Sequence, residues 1–418
     1  MRRDVKLRAR VLDSVAADEV VAELYARGAD AEAVRAIVGR GMARAMLVGP
    51  LGLEEAQGLR RAAAEAGGLA VLARPAGRQD PERSDVVVMA PAQRLAAIAS
   101  QTGGEAGGRM SGALEGFLQP TDRVLRCRRR ELALGTKTLI MGIINVTPDS
   151  FSGDGLYGNV EAAVRLGKQM VADGAGILDV GGESTRPGAD PVSLEAELAR
   201  VLPVVERLAA EADALVSIDT YKSAVAKEAL ARGAALVNDI SGLHHDEQMA
   251  AVAAEAGAAV VVMHILGTPR DMQKNPQYAD VIGEISDYLE EGIARAEAAG
   301  LTRDQIVVDP GFGFGKTVEH NLELLRRLRE FRCLGCPVMI GTSRKSSIGK
   351  LLGDVAADQR LEGTAATVAL AIAAGADIVR VHDVKEMARV ARVADAIVRP
   401  KHEPPAGSEH QWAHQREQ

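Results

Sequence analysis

The sequence predicts a (β/α)8 TIM barrel preceded by a small α/β module, on three observations. From residue 139 onward, short Val/Ile-rich runs alternate with Ala/Leu/Glu/Arg segments of helical period, the pattern of parallel βα units. Eight such runs fall within roughly 260 residues, which suits a closed barrel better than an open sheet. Helical segments such as "VEAAVRLGKQMVADGA" and "LEGTAATVALAIAAGA" stop at Gly-Ala just before the next run, as expected of a C-cap.

In order, the strand candidates are "LIMGIIN", "GILDVGG", "ALVSIDT", "AALVNDI", "AAVVVMH", "QIVVDPG", "PVMIGTS" and "ADIVRVH". Residues 1–120 read as a separate module. An amphipathic helix ("DEVVAELYARGADAEAVRAIVGRG") precedes a short strand ("ARAMLVG"), a helix ("LEEAQGLRRAAAEAG"), and the runs "LAVLA" and "DVVVMA". The Gly-rich "SQTGGEAGGRMSG" reads as a flexible tether, residues 121–136 as a linker leading into the barrel, 137–400 as the barrel, and the polar tail 401–418 as disordered. No chemical constellation appears in the module, so packing or oligomerisation is its simplest role.

Composition excludes several classes. Aromatics are only 3%, which argues against a nucleic-acid surface built on base stacking. Residues 1–130 hold 21 Lys+Arg against 16 Asp+Glu, and the remainder 29 against 41. The longest basic run, "RCRRR" at 126–130, reads as a solvated face or linker. Three cysteines are too few for a disulfide framework, and "CLGC" has no second Cys or His pair to complete a zinc site. No apolar leader or membrane span is present, so the expected address is the cytoplasm.

Chemistry in a barrel of this kind sits at the C-terminal strand ends. Here those ends carry Asn145, Asp179, Asp219, Asn238, His264, Asp309, Lys345, and Arg380 with His382. A purely structural barrel has no reason to place a polar group at every strand end, because each buried polar atom needs a partner. In "NVTPDSF", Asn145 and nearby carboxylates suit Mg²⁺, which takes hard oxygen ligands and is usually shared with phosphates. The loop "GGESTRPGA" offers Thr185, Arg186 and Pro187 as an active-site flap. Asp219, Asn238, Asp309 and Lys345 together suit a ring with adjacent N–H donors and a carbonyl. "SRKSS" opens a helix at Ser346, where free N–H groups receive anions, and Arg380 and His382 lie two residues apart on one strand, facing the same way. "DPGFGFGKT" lacks phosphate-loop spacing, since Gly311 and Gly315 are four apart rather than five.

With these residues in hand, the chain from about 137 to 400 resembles the dihydropteroate synthases. The match is carried in order by "INVTPDSFS", "LDVGGESTRPGA", "VSIDT", "VNDISG", "VVMH", "DPGFGFGK", "GTSRKSSIG" and "RVHDV". The resemblance implies a folate-pathway enzyme, the target of sulfonamides, that joins 6-hydroxymethyl-7,8-dihydropterin diphosphate to p-aminobenzoate with Mg²⁺ and releases pyrophosphate. It further implies a pterin pocket of Asp219, Asn238, Met263, Asp309, Lys345 and Arg380, and a pyrophosphate site of Asn145, Thr185, Arg380 and His382, with the metal at Asn145. Phe151, Arg186, Pro187 and Ser346 would shape the p-aminobenzoate site. Family members are usually homodimers. One departure concerns the first loop, where Gly153 separates Phe151-Ser152 from Asp154, so Asp154 is not carried over. Residues 1–120 lie outside the resemblance.

Two other readings share the pterin pocket: a corrinoid-dependent methyltransferase and a non-catalytic pterin-binding paralogue. The first would not need "ESTRPG" or "SRKS", and the second would show a degraded site, whereas every expected polar position is filled.

Overall fold

The computed structural model describes residues 43–73, 83–118, 123–128, 130–147, 159–186 and 188–399. The amphipathic helix expected before residue 42 and the tail after 400 lie outside these residues. The chain divides into two compact units, Met1–Glu115 and Gly116–Gln418.

In the first unit, β1 (Ala43–Gly52), β2 (Leu69–Ala73) and β3 (Arg83–Pro91) form an antiparallel sheet in the order β1-β3-β2. Val48, Val86 and Val88 pack against Leu59, Leu95 and Ile98 of the helices Leu53–Glu65 and Ala92–Thr102. The alternate residues Leu47, Leu69, Val71 and Met89 are exposed, as the two-residue period of a strand requires. The expected tether is instead helical, continuing from Ala92–Thr102 into a helix Gly104–Leu118. Ala106, Met110 and Leu114 recur four residues apart and are buried, and this apolar stripe outweighs the cost of helical glycine. At Gly107 a Cβ would lie 2.4 Å from the Ala99 carbonyl oxygen, so the glycine permits the close approach.

The expected linker 121–136 also has structure. β4 (Val124–Cys127) and β5 (Arg130–Ala133) form an antiparallel hairpin that belongs to the barrel unit. Leu125, Cys127 and Leu134 are buried among Met141, Ile177, Leu215, Val261 and Ile378, closing the base of the barrel. The described arginines of the "RCRRR" run, Arg126, Arg128 and Arg130, are exposed, as expected of a solvated face, and they also latch onto neighbouring segments. Arg128 donates to the carbonyls of Leu230 and Ala234 at 2.7 and 3.1 Å, Arg130 to that of Ala214 at 3.0 Å, and Arg126 pairs with Asp304.

The barrel strands are β6 (Leu139–Asn145), β7 (Ile177–Gly181), β8 (Leu215–Asp219), β9 (Leu236–Asp239), β10 (Ala259–Met263), β11 (Ile306–Asp309), β12 (Met339–Ile340) and β13 (Ile378–Val381). They are hydrogen-bonded in the order β11-β10-β9-β8-β7-β6-β13-β12, and a parallel bridge between Val308 and Val338 closes the ring. All eight predicted strands are present, although "PVMIGTS" keeps only Met339–Ile340. Alternation sorts the side chains. Ile140, Leu178, Val216, Val260 and Val379 face the surrounding helices, while Met141, Ile177, Leu215, Leu236, Val307 and Ile378 fill the lower interior. Two residues further along the same inward face stand Asp179, Asn238, Asp309 and Arg380. The interior is therefore apolar below and polar above. Among the described residues, no helix is long and apolar enough to cross a membrane.

Candidate active site

The polar layer floors a cavity of about 590 Å³ at the C-terminal ends of the strands. At its centre Arg380 donates through Nε to Asp179 Oδ2 at 2.6 Å and through Nη2 to Asp219 Oδ2 at 2.5 Å. Asn238 Nδ2 donates to the same Asp179 oxygen at 2.9 Å. That bond fixes the amide, so Asn238 Oδ1 is the acceptor left over, and it is buried with no hydrogen-bond partner. Burial pushes the Asp219 carboxyl up to about 7 against the pull of Arg380, and pushes Asp309 up to about 6. Arg380 is held above its usual range, because the pull of Asp179 and Asp219 outweighs burial.

One wall is the loop after β11. Asp309 Oδ1 accepts from Gly311 N–H at 2.7 Å. Lys345, just before the helix Ser346–Leu351, places its ammonium 3.9 Å from the centroid of the Phe314 ring, a cation–π distance. Burial and the neighbouring Arg380 charge bring Lys345 down to about 8. Behind the loop, Lys316 Nζ is buried within 2.8 Å of His264 Nδ1 and 3.0 Å of the Gly311 and Phe314 carbonyls. The motif set aside as a phosphate loop thus uses its lysine to clip its own backbone. Burial lowers Lys316 well below the usual range, and burial together with Lys316 lowers His264 to about 2.

The remaining expected residues that are described border the cavity, joined by Thr147. Asn145, Thr147, Thr185, Arg186, Met263, Ser346 and His382 line the same cavity as Asp219, Asn238, Asp309, Lys345 and Arg380. His382 Nδ1 lies 3.0 Å from Ser343 Oγ, and the helix that opens at Ser346, a lining residue, has no side-chain cap on its first N–H groups. Phe151, Asp154 and Pro187 lie outside the described residues. Sequence reasoning left Asp179 off the candidate site, although it organises Arg380 and Asn238. Its signal was available, since it stands one inward step above Ile177 on β7. It also missed Phe314, Lys316 and a cluster of Glu183, Glu197, Tyr221 and Lys222, whose partners lie far away in sequence.

A closed (β/α)8 barrel with buried acceptors, a stacked lysine and a rim of hydroxyls and cations has the chemistry of an enzyme site for a flat, N–H-rich ring beside an anion. The family model of pterin binding enzymes matches residues 141–382. A dihydropteroate synthase from Synechocystis sp. is 48% identical over 265 residues, 63% of this chain and 92% of that protein. The dihydropteroate synthase of Yersinia pestis, solved with a sulfonamide drug, superposes with a TM-score of 0.63 at 42% identity, covering 66% of this chain and 99% of that one. That of Xanthomonas albilineans, solved with 4-aminobenzoic acid, gives 0.61 at 43%, covering 66% and 98%. The chain belongs to the pterin-binding enzymes and, among them, to the dihydropteroate synthases, which are transferases.

Proposed function

We propose that the chain condenses 6-hydroxymethyl-7,8-dihydropterin diphosphate with p-aminobenzoate, giving 7,8-dihydropteroate and pyrophosphate, with the cavity residues in the following roles. The observation that carries the reading is the set of acceptors on the cavity floor: Asn238 Oδ1, left unpartnered while Nδ2 of the same amide donates to Asp179, beside the carboxylates of Asp219 and Asp309. Three acceptors with one donor, Lys345, suit the amidine-like edge and carbonyl of a pterin. Met263 and the face of Arg380 sandwich the ring. Nε and Nη2 of Arg380 are committed to carboxylates, which leaves its outer edge for a phosphate.

Asn145, Thr185, His382 and that edge of Arg380 hold the diphosphate. The CH2–O bond breaks and its electron pair leaves with pyrophosphate. The aniline nitrogen of p-aminobenzoate, oriented by Arg186, Phe151 and Pro187 with its carboxylate at Ser346, attacks the pterin CH2 and sheds a proton to solvent. Orientation and charge stabilisation carry the rate. Among the described residues, no group of three or more His, Cys, Asp or Glu side chains is arranged to hold a metal ion. The side-chain oxygen of Asn145 suits a hard cation carried mainly by the diphosphate and water. Mg²⁺ bound there would neutralise charge on the leaving group. A homodimer in the cytoplasm completes the proposal.

The test is pyrophosphate release by the purified chain from dihydropterin diphosphate and Mg²⁺. Release that requires p-aminobenzoate and falls with a sulfonamide is expected. A folded protein that binds the pterin diphosphate yet releases nothing would overturn the reading.

A further inference from the structure

Between β7 and the helix Leu194–Glu211, the segment that carries Thr185 and Arg186 is fastened at both ends. The fastener is Lys222, three residues beyond Asp219. Its ammonium reaches the Glu183 carboxylate at the start of the segment, and at the far end the Val192 carbonyl at 2.8 Å and Glu197 Oε2 at 2.6 Å. Tyr221 O–H donates to Glu183 Oε1 at 2.5 Å, and Arg200 donates to the Gly182 carbonyl at 2.7 Å. The side chains of Lys222, Glu183 and Glu197 are 20%, 9% and 1% exposed.

Such a cluster is poorly explained as a contribution to stability. It sets two carboxylates against one ammonium away from water, and a buried ion pair often does no better than apolar residues of the same volume. Glu197 Oε1 is left buried without a partner, a further cost. What the cluster fixes is geometry, because one cation ties the start of this arch, which lines the cavity, to its far end at Val192. Glu183 itself lines that cavity beside Thr185 and Arg186. Since Lys222 follows Asp219 along the chain, the arch is referenced to the strand end that carries a pocket carboxylate. The crown has its own backbone contact, Gly188 N–H to the Pro269 carbonyl at 3.2 Å.

We propose that Lys222, with Glu183 and Tyr221, is a positioning device that spaces the two feet of the 182–193 arch and thereby sets Arg186 for the second substrate. It rests on the role given to Arg186 above. Loss of the device should loosen the arch without disturbing the acceptors on the floor, so the two substrates should respond differently.

The experiment compares Glu183→Gln, Lys222→Met, Lys222→Arg and Arg186→Ala in the full chain. Steady-state kinetics would be joined to titration of the pterin diphosphate and to hydrogen exchange across residues 184–191. Glu183→Gln keeps the Lys222–Glu197 pair, so it tests the arch even if Lys222→Met fails to fold. Expected are a rise of roughly tenfold or more in KM for p-aminobenzoate and faster exchange in the arch. Pterin diphosphate affinity should fall clearly less, because Thr185 is the one contact given to the diphosphate that rides on the arch, and Lys222→Arg should recover part of the loss. Unchanged KM in Glu183→Gln, where Arg186→Ala raises it, would overturn the proposal alone. Equal loss for both substrates would reduce the cluster to a structural ion pair and also overturn it. If Arg186→Ala leaves KM unchanged, the role of Arg186 falls, and the proposal with it.

Discussion

Arg380 and Asp179 form the innermost ion pair of the cavity, Nε to Oδ2 at 2.6 Å, with Asp179 fully buried. The carboxylate meets no substrate in the proposed arrangement. Instead it orients the guanidinium and, through Asn238, an amide. Asp179→Asn should lower kcat/KM roughly 100-fold and stability by about 2–4 kcal/mol. Kinetics and urea unfolding would check this, and wild-type kinetics in the variant would remove Asp179 from the site.

Lys345→Ala and Asp219→Asn each remove one contact proposed for the pterin. Each should leave a folded barrel and raise the barrier by about 3–4 kcal/mol, the usual worth of a single positioned group. Near-normal turnover in either would dismiss the pocket assignment.

The pH dependence follows from burial. Asp219 and Asp309 are held up at about 7 and about 6, so in acid they carry protons and accept fewer hydrogen bonds from ring N–H groups. Lys345 is held down at about 8 and loses its charge above that pH. The kcat/KM for the pterin diphosphate should therefore climb through the range set by the two carboxyls and decline above the lysine value. In Lys345→Arg the alkaline limb should leave the measured range. A limb that stays in place belongs to another group.

His264 gives a stability signature of definite sign. Folded, it titrates at about 2, whereas in the unfolded chain it takes a proton below about 6.5. The unfolded state thus binds more protons between these values, and stability falls as pH falls through that window. Asp219 and Asp309, raised in the folded state, act with the opposite sign, their contribution being lost as pH rises. The His264 effect is therefore read as a difference: His264→Gln should show a shallower acid loss than wild type in urea unfolding between pH 6 and about 4. Identical slopes would contradict it.

Leu125 is fully buried at the barrel base. Leu125→Ala should cost about 2–5 kcal/mol and leave both KM values unchanged, because the hairpin lies below the apolar layer. A selective change in either KM would show that the base communicates with the mouth.

The barrel was legible because each strand is a run of apolar residues that ends in a polar one. That pattern marks the axis and the functional end together, and Asp219, Asn238, Asp309 and Arg380 were found by it. Less was visible where partners are remote. Nothing near Lys222 announces Glu183 or Glu197, and once spacing had ruled out a phosphate loop nothing in "DPGFGFGKT" announced that Lys316 reaches the carbonyls of its own loop. The glycines around Gly107 read as flexible because composition does not report how closely two helices approach. The hairpin 124–133 was hidden by its arginines, whose targets are backbone oxygens of a distant helix and of the bend before β8.

The stopper formed by Leu125, Cys127 and Leu134 also sets a queue. With the base closed, molecules reach the cavity from the mouth, where the floor residues Asn238 and Asp309 are 2% and 3% exposed while Thr185 and Ser346 stand at the rim. In the proposed arrangement the floor is reached past the rim, so its occupant is expected to arrive before its neighbour there. The joined product, spanning both, must withdraw whole before the next floor occupant can enter.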